Sequence, residues 1–176
     1  DGKERVVMDT SDIQLPGVHN IENYLAAIAA VDGMVSDEII RVFARTFGGV
    51  EHRIELIRTL DGVRWYNDSI ASSPSRTIAG LRSFPEKVVL IAGGKDKGIS
   101  YDSLGPVVND HVKLLILCGA TAGVIRRAVE QAPNYAGLEI FDVADYEEAA
   151  ALARSRTQPG DVVILSPAST SFDRFA

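Results

Sequence analysis

The sequence predicts an α/β fold built on a doubly wound, mostly parallel sheet with an antiparallel hairpin at one edge, and three observations carry that prediction. From about His52 onward, β-prone and helix-patterned segments alternate, which is the rhythm of strand–helix–strand units. The apolar runs Val88-Val89-Leu90-Ile91 and Leu114-Leu115-Ile116-Leu117 do not alternate with polar residues, as expected of strands covered on both faces. Residues 54–67 read as two short strands around a turn, which supplies the edge hairpin.

Taken in order, residues 5–8 are short and β-prone, and Leu15-Pro16-Gly17 is a turn signal. Helical patterns follow at about 21–31, rich in Ala and Leu, and at 36–47, where Ser36 opens the helix and Glu38 sits in its first turn. Gly48-Gly49 ends this front piece. It has no complete sheet of its own, so residues 1–48 are expected to be the end of a larger domain and 49–176 the bulk of a second one. A further helix starts as the chain stops, and the whole is expected to be a fragment. Strands are predicted over 54–59, 63–67, 88–92, 114–118, 139–143 and 162–165, with helices over 75–83, 101–109, 122–131 and 146–156. There is no internal repeat and no low-complexity tract.

A chain of 176 residues with 46% hydrophobic content can bury a sizeable core. Its formal charge of −6 argues against nucleic acid or an anionic membrane as the main partner, because such surfaces demand clustered Lys and Arg. Small anions remain candidates through local cations. The single cysteine, Cys118, excludes an internal disulfide framework and fits a reducing cytoplasm. No apolar run approaches the roughly 20 residues of a membrane span, and Asp1-Gly2-Lys3-Glu4-Arg5 lacks signal-peptide character. A soluble cytoplasmic protein is expected.

In doubly wound sheets ligands gather at the carboxyl ends of the strands. Four such ends are rich in small and polar residues: Asn67 to Pro74, Gly93 to Gly98, Gly119 to Thr121, and Ser166 to Asp173. Gly93-Gly94-Lys95-Asp96-Lys97-Gly98 lacks the Gly-Lys-Ser/Thr ending of a P-loop. Its glycines still allow close ligand approach, and Lys95 and Lys97 offer ammonium groups to a carboxylate or phosphate; a solvated loop is the plain alternative. Asn67-Asp68 is either an Asx turn or a carboxylate for ribose hydroxyls or magnesium. The serines from Ser166 to Ser171 either cap the last helix or, with its N–H groups, bind a substrate carboxylate. His52-Arg53 lies where the front piece meets the α/β unit in sequence, and Arg53 is either a phosphate ligand or half of an ion pair with Glu51 or Glu55. Asn20 and Asn23 are one helical turn apart and either read an adenine edge or cap. His111 and Cys118 are expected to be structural, and no His/Cys/Asp cluster has metal-site spacing.

In order, five motifs resemble those of the Mur ligases. They are Leu15-Pro16-Gly17-Val18-His19-Asn20-Ile21-Glu22-Asn23, Phe47-Gly48-Gly49-Val50-Glu51-His52-Arg53-Ile54-Glu55, Tyr66-Asn67-Asp68-Ser69, Leu90 through Gly98, and Gly160 through Asp173. Within that family the resemblance points to the branch that adds D-glutamate to UDP-N-acetylmuramoyl-L-alanine in peptidoglycan synthesis, a cytoplasmic step on which cell shape and division depend. It implies a Rossmann-like C-terminal domain preceded by the helical end of a central ATPase domain. It also implies ATP and Mg2+, with the metal ligands mainly outside this sequence, and a monomer with small-molecule substrates only. By the same resemblance Asn20, Asn23, His52, Arg53 and Asp68 serve the nucleotide, Asp68 on its ribose and Arg53 near its phosphates. Ser72, Lys97, Ser171 and Phe172 fall where D-glutamate binds, and Arg53 and Lys97 are the catalytic cations. The family reads Asn-Asp-Ser-Lys-Ala-Thr-Asn where this chain has Ile70 for the lysine and Ser72-Ser73 for Thr-Asn; Lys95 or Arg76 is the available replacement charge. The chemistry implied is activation of the acceptor carboxyl as an acyl phosphate, followed by attack of the D-glutamate amine. The rivals are another amino-acid ligase of the superfamily, such as a different Mur ligase or a folylpolyglutamate synthetase, and a Rossmann-like binding module without catalysis.

Overall fold

A computed structural model describes residues 4–15 and 17–170. The chain divides into two compact units, Asp1–Gly49 and Val50–Ala176.

Among its described residues the first unit holds one 3-10 turn, Thr10–Asp12, and two helices, α1 (Val18–Ala30) and α2 (Asp37–Thr46). Ser36 caps α2 as its sequence predicts: its hydroxyl accepts the Ile39 N–H at 3.4 Å, with Asp37 and Glu38 in the first turn against the helix dipole. α1 begins three residues earlier than the pattern suggests, because Gly17 takes φ 99° and turns the chain into the helix at Val18. Residues 5–8 form no strand. A strand needs a paired neighbour, and here Arg5 is tied to Asp32 at 2.7 Å and the Val7 carbonyl accepts from Arg41 at 2.8 Å, side-chain tethers in place of a ladder. The interior of this unit is small: Tyr24, Ile40 and Ala44 are buried, whereas Leu25, Met34, Ile39, Val42 and Phe43 are exposed.

The second unit is a six-stranded sheet in the order β1-β2-β6-β3-β4-β5, with helices α3 to α6 between its strands. β1 (Glu55–Leu60) and β2 (Val63–Asn67) form the edge hairpin, closed by Asp61-Gly62 with both φ values positive, the two-residue turn whose twist suits paired strands. All other pairings are parallel: β2 with β6 (Val162–Leu165), β6 with β3 (Val88–Ala92), β3 with β4 (Val112–Leu117), and β4 with β5 (Glu139–Asp142). The helices α3 (Pro74–Leu81), α4 (Leu104–His111) and α5 (Ala122–Glu130) cover one face through Leu81, Leu104, Val108, Ile125 and Val129, packed on Leu90, Leu115, Leu117 and Ile164. The opposite face packs Val89, Ile91, Ile116 and Val163 against Ala149 and Ala153 of α6 (Tyr146–Ser155). This is why the β3 and β4 runs are uniformly apolar. β4 starts two residues before the predicted point because α4 runs straight into it and Val112 already pairs with Val88.

One close approach sets the α4–α5 spacing. A Cβ on Gly105 would lie 2.0 Å from the Ala128 carbonyl oxygen, so no larger residue fits without parting the helices. Gly105→Ala is expected to destabilise the chain by about 1–3 kcal/mol, read as a lower denaturant midpoint at unchanged slope.

Candidate functional site

The parallel strands deliver their carboxyl ends to one rim, where the loops lock together by backbone contacts that glycine makes possible. Gly93 donates its N–H to the Pro167 carbonyl at 2.9 Å, and at its φ of 113° a Cβ would stand 1.9 Å from the Cys118 carbonyl oxygen. Lys95 N–H bonds the Thr170 carbonyl at 2.8 Å in an isolated antiparallel bridge, which ties the lysine loop to the chain that leads into Ser171. Beneath them lies a hydroxyl cluster that the sequence alone does not reveal: Ser169 Oγ is 2.8 Å from the Tyr101 hydroxyl and 2.9 Å from Thr121 Oγ1, and Thr121 also accepts the Gly94 N–H at 3.0 Å. Tyr146 adds a hydrogen bond to the Gly93 carbonyl at 2.9 Å. Buried hydroxyls of this kind hold loop geometry, because each would be costly to leave unpaired.

At the end of β2, Asn67 and Asp68 do different things. Asn67 makes the Asx turn, accepting the Ser69 N–H at 3.1 Å, and its amide reaches His52 Nδ1 at 2.8 Å. Asp68 is 3% exposed. Its Oδ1 accepts the Ile54 N–H at 3.3 Å and its Oδ2 accepts the Ser166 hydroxyl at 2.7 Å, while Thr77 Oγ1 lies 2.9 Å from Ser166 Oγ. Burial pushes the Asp68 carboxyl up to about 6, against the pull of the Ser166 and Ile54 hydrogen bonds and of the Arg53 and Arg76 charges. Between its ordinary value of 3.8 and about 6, the folded chain therefore holds a proton that the unfolded chain has released. Stability contributed by this group is full below that window and is lost as pH rises through it. The expected loss is about 3 kcal/mol by pH 7. Asp9 and Asp161, whose carboxyls are held low, give the opposite slope at lower pH, so the check is the difference between wild type and Asp68→Asn in urea titrations from pH 4 to 7.

The other candidate residues are placed as follows. Arg53 is exposed and has no ion pair among the described residues; Glu55 instead takes the His52 N–H at 2.8 Å. Lys95 and Lys97 are exposed and likewise without an ion pair, and Asp96 accepts the Gly98 N–H at 2.8 Å to shape their loop. Ser72 is half-buried just before α3, on a different loop from Lys97, and the two make no hydrogen bond. Arg76 donates to the Ile70 carbonyl at 3.1 Å, so a guanidinium stands beside the position where a lysine is expected. Asn20 and Asn23 share one face of α1 in the first unit, Asn23 donating to Asn20 at 3.4 Å. Ser171 and Phe172 lie outside the described residues. Among the described residues no group of three or more His, Cys, Asp or Glu side chains is placed to hold a metal ion, and no helix is long and apolar enough to cross a membrane.

Comparison with known proteins matches both the sheet and its rim. The family model for the Mur ligase, glutamate ligase domain, covers residues 52–169. A UDP-N-acetylmuramoylalanine--D-glutamate ligase of Acetivibrio thermocellus is 54% identical over 98% of this chain and 38% of its own length. The protein of the same name from Ruminiclostridium cellulolyticum is 52% identical over 96% of this chain and 37% of its own length. The chain thus spans well under half the length of these curated relatives. Among solved structures, a Mycobacterium tuberculosis folylpolyglutamate synthase complexed with ADP has the same fold at 15% identity, with a TM-score of 0.67 over 90% of this chain and 39% of its own. MurF ligase from Thermotoga maritima in complex with ADP gives a TM-score of 0.59 at 19% identity, over 84% of this chain and 34% of its own. The match from His52 to Ser169 takes in every strand of the sheet and three of the four polar strand-end loops in full, and on that ground the chain belongs to the Mur ligase family.

Proposed function

We propose that this chain is the C-terminal part of an ATP-dependent ligase that joins D-glutamate to UDP-N-acetylmuramoyl-L-alanine in cytoplasmic peptidoglycan synthesis. The observation that carries this reading is identity of about one residue in two, along almost the whole chain, with relatives that bear that name. In this reading residues 1–48 end a central ATPase domain, which suits the exposed apolar side chains of α1 and α2, and residues 49–176 form most of the amino-acid-binding domain. The enzyme acts as a monomer on small-molecule substrates.

Amide formation from a carboxylate requires activation, here as an acyl phosphate made from the muramoyl-alanine carboxyl and ATP. The D-glutamate amine attacks that carbonyl, and the tetrahedral intermediate expels phosphate. Negative charge accumulates throughout, so fixed cations dominate the stabilisation. Arg53, exposed, without an ion pair among the described residues and set between two residues of positive φ, serves the nucleotide phosphates; His52, Asp68, Asn20 and Asn23 complete the nucleotide set. Lys97, Ser72, Ser171 and Phe172 receive D-glutamate, with Lys97 as the cation for its carboxylates. Magnesium accompanies ATP, and its ligands fall mainly outside these residues.

The test is phosphate release. The full-length enzyme given ATP, magnesium and UDP-N-acetylmuramoyl-L-alanine is expected to release phosphate only when D-glutamate is added. The 176-residue chain, whose sequence has no P-loop, is expected to release none above blank. Turnover by the chain alone, or release that ignores D-glutamate, rejects the reading.

A further inference from the structure

We propose that Tyr101, Ser169 and Thr121 form a directed network of buried hydroxyls that positions the two halves of the D-glutamate site, the Lys97 loop and the segment leading into Ser171, against each other. The inference deepens the reading of Lys97 and Ser171 as D-glutamate ligands and rests on it.

The three residues come from distant parts of the chain, Tyr101 before α4, Thr121 before α5 and Ser169 after β6, and all are buried. Thr121 is fastened to the lysine loop by a reciprocal pair: the Gly94 N–H donates to Thr121 Oγ1 and the Thr121 N–H donates to the Gly94 carbonyl, each at 3.0 Å. Lys97 follows Gly94 by three residues, and Ser171 follows Ser169 by two. The Ser169 to Thr121 contact at 2.9 Å is therefore a side-chain bridge between the stems of the two loops, beside the backbone bridge of Lys95 to Thr170. The stems are so close that a Cβ on Gly94 would lie 2.5 Å from the Thr170 carbonyl oxygen and 3.2 Å from Ser169 Cβ.

Proton counting fixes the direction of the network. Each hydroxyl has one proton to give and two lone pairs to accept with. Thr121 Oγ1 already accepts from Gly94, and its proton goes either to the Gly94 carbonyl at 3.3 Å or to Ser169. Among the described residues Tyr101 has no hydroxyl partner but Ser169, and Ser169 Oγ none but Tyr101 and Thr121. Were Thr121 to donate to Ser169, either the Ser169 or the Tyr101 proton would be buried without an acceptor. Only the order Tyr101 to Ser169 to Thr121 to the Gly94 carbonyl gives every proton one, and a buried polar group left unpaired is costly. A network satisfied in a single order specifies a single arrangement of the loops, whereas apolar contact is non-directional. That is what a site for two carboxylates needs, since its cation and donors must keep a fixed separation.

Steady-state kinetics of the full-length ligase, with D-glutamate and ATP varied in turn, test the positioning. Ser169→Ala is expected to raise the KM for D-glutamate about 10-fold and the KM for ATP less than about 2-fold. Thr121→Val, which keeps the shape and removes the hydroxyl, is expected to do the same, while Thr121→Ser stays near wild type. Tyr101→Phe, at the donor end, strands no proton, and its increase for D-glutamate is expected to be about 2- to 3-fold. Equal increases in both KM values, or none for D-glutamate in Ser169→Ala, overturn the proposal; should Ser169→Ala fail to fold, Tyr101→Phe decides by the same split. Urea midpoints of the 176-residue chain read the direction. Ser169→Ala is expected to fall further than Tyr101→Phe, and the double variant to recover part of that loss, because it no longer holds a proton without an acceptor. A Tyr101→Phe midpoint as low as that of Ser169→Ala overturns the proposed order. Lys97→Ala separates the two readings: no change there in the KM for D-glutamate sinks the D-glutamate site itself, whereas an increase there without one in Ser169→Ala sinks the hydroxyl network alone.

Discussion

Replacing Lys97 with alanine in the full-length ligase is expected to raise the KM for D-glutamate about 10- to 150-fold while the KM for ATP moves little. D-glutamate brings two carboxylates, and a site for it needs a cation and several donors on rigid elements. Lys97 follows β3, whose every residue is buried, and its loop is fixed at the base by the Lys95 to Thr170 bridge and shaped at the tip by the Asp96 to Gly98 hydrogen bond. Its ammonium has no competing carboxylate among the described residues, so binding a substrate anion breaks no internal ion pair. The same bridge carries the loop to the chain that runs into Ser171, which is how two regions far apart in sequence come to serve one amino acid in this reading. A charge-assisted contact of this kind is worth on the order of 1.5–3 kcal/mol, and the two KM values measured on one variant decide between substrates. An ATP defect without a D-glutamate defect assigns the loop to the nucleotide.

Most of the sheet is legible in the sequence because burial on both faces leaves a direct trace: Val88 to Ile91 and Leu114 to Leu117 have no polar interruption, and Asp61-Gly62 permits a two-residue hairpin turn. The front segment misleads for the complementary reason. Residues 5–8 have β-prone side chains, but propensity does not supply a partner strand, and tethers from Asp32 and Arg41 decide their course. Within the site, locality sets the limit. The Asx turn at Asn67 is readable because its partner is two residues away. The role of Asp68 is not, since Ser166 lies 98 positions later and Ile54 14 earlier. The hydroxyl cluster of Tyr101, Thr121 and Ser169 is hidden in the same way: Tyr101 reads as the start of a helix and Thr121 as the end of a small-residue loop, and only the fold brings them together. Gly-rich and Ser-rich strand ends signal that a rim exists, but not which hydroxyls face inward.

Arg53→Ala in the full-length enzyme is expected to cost about 2–4 kcal/mol of transition-state stabilisation, a fall of roughly 30- to 900-fold in kcat/KM for ATP. Glu51 and Glu55 are near in sequence, and a surface arginine ordinarily pairs with such neighbours, yet Glu55 is turned to the His52 backbone and Arg53 has no ion pair among the described residues. His52 and Ile54 in left-handed conformations set the point and angle at which the exposed Arg53 side chain leaves the backbone. Preorganised charge is most effective where charge develops during the reaction, so the loss should fall more on turnover than on ground-state binding of ATP. Arg53→Lys separates charge from geometry: a point charge cannot form the two parallel hydrogen bonds that a guanidinium offers a phosphate, and only partial recovery is expected. Steady-state kinetics of both variants at saturating D-glutamate make the check, and ATP parameters unchanged in Arg53→Ala return the residue to a solvated turn.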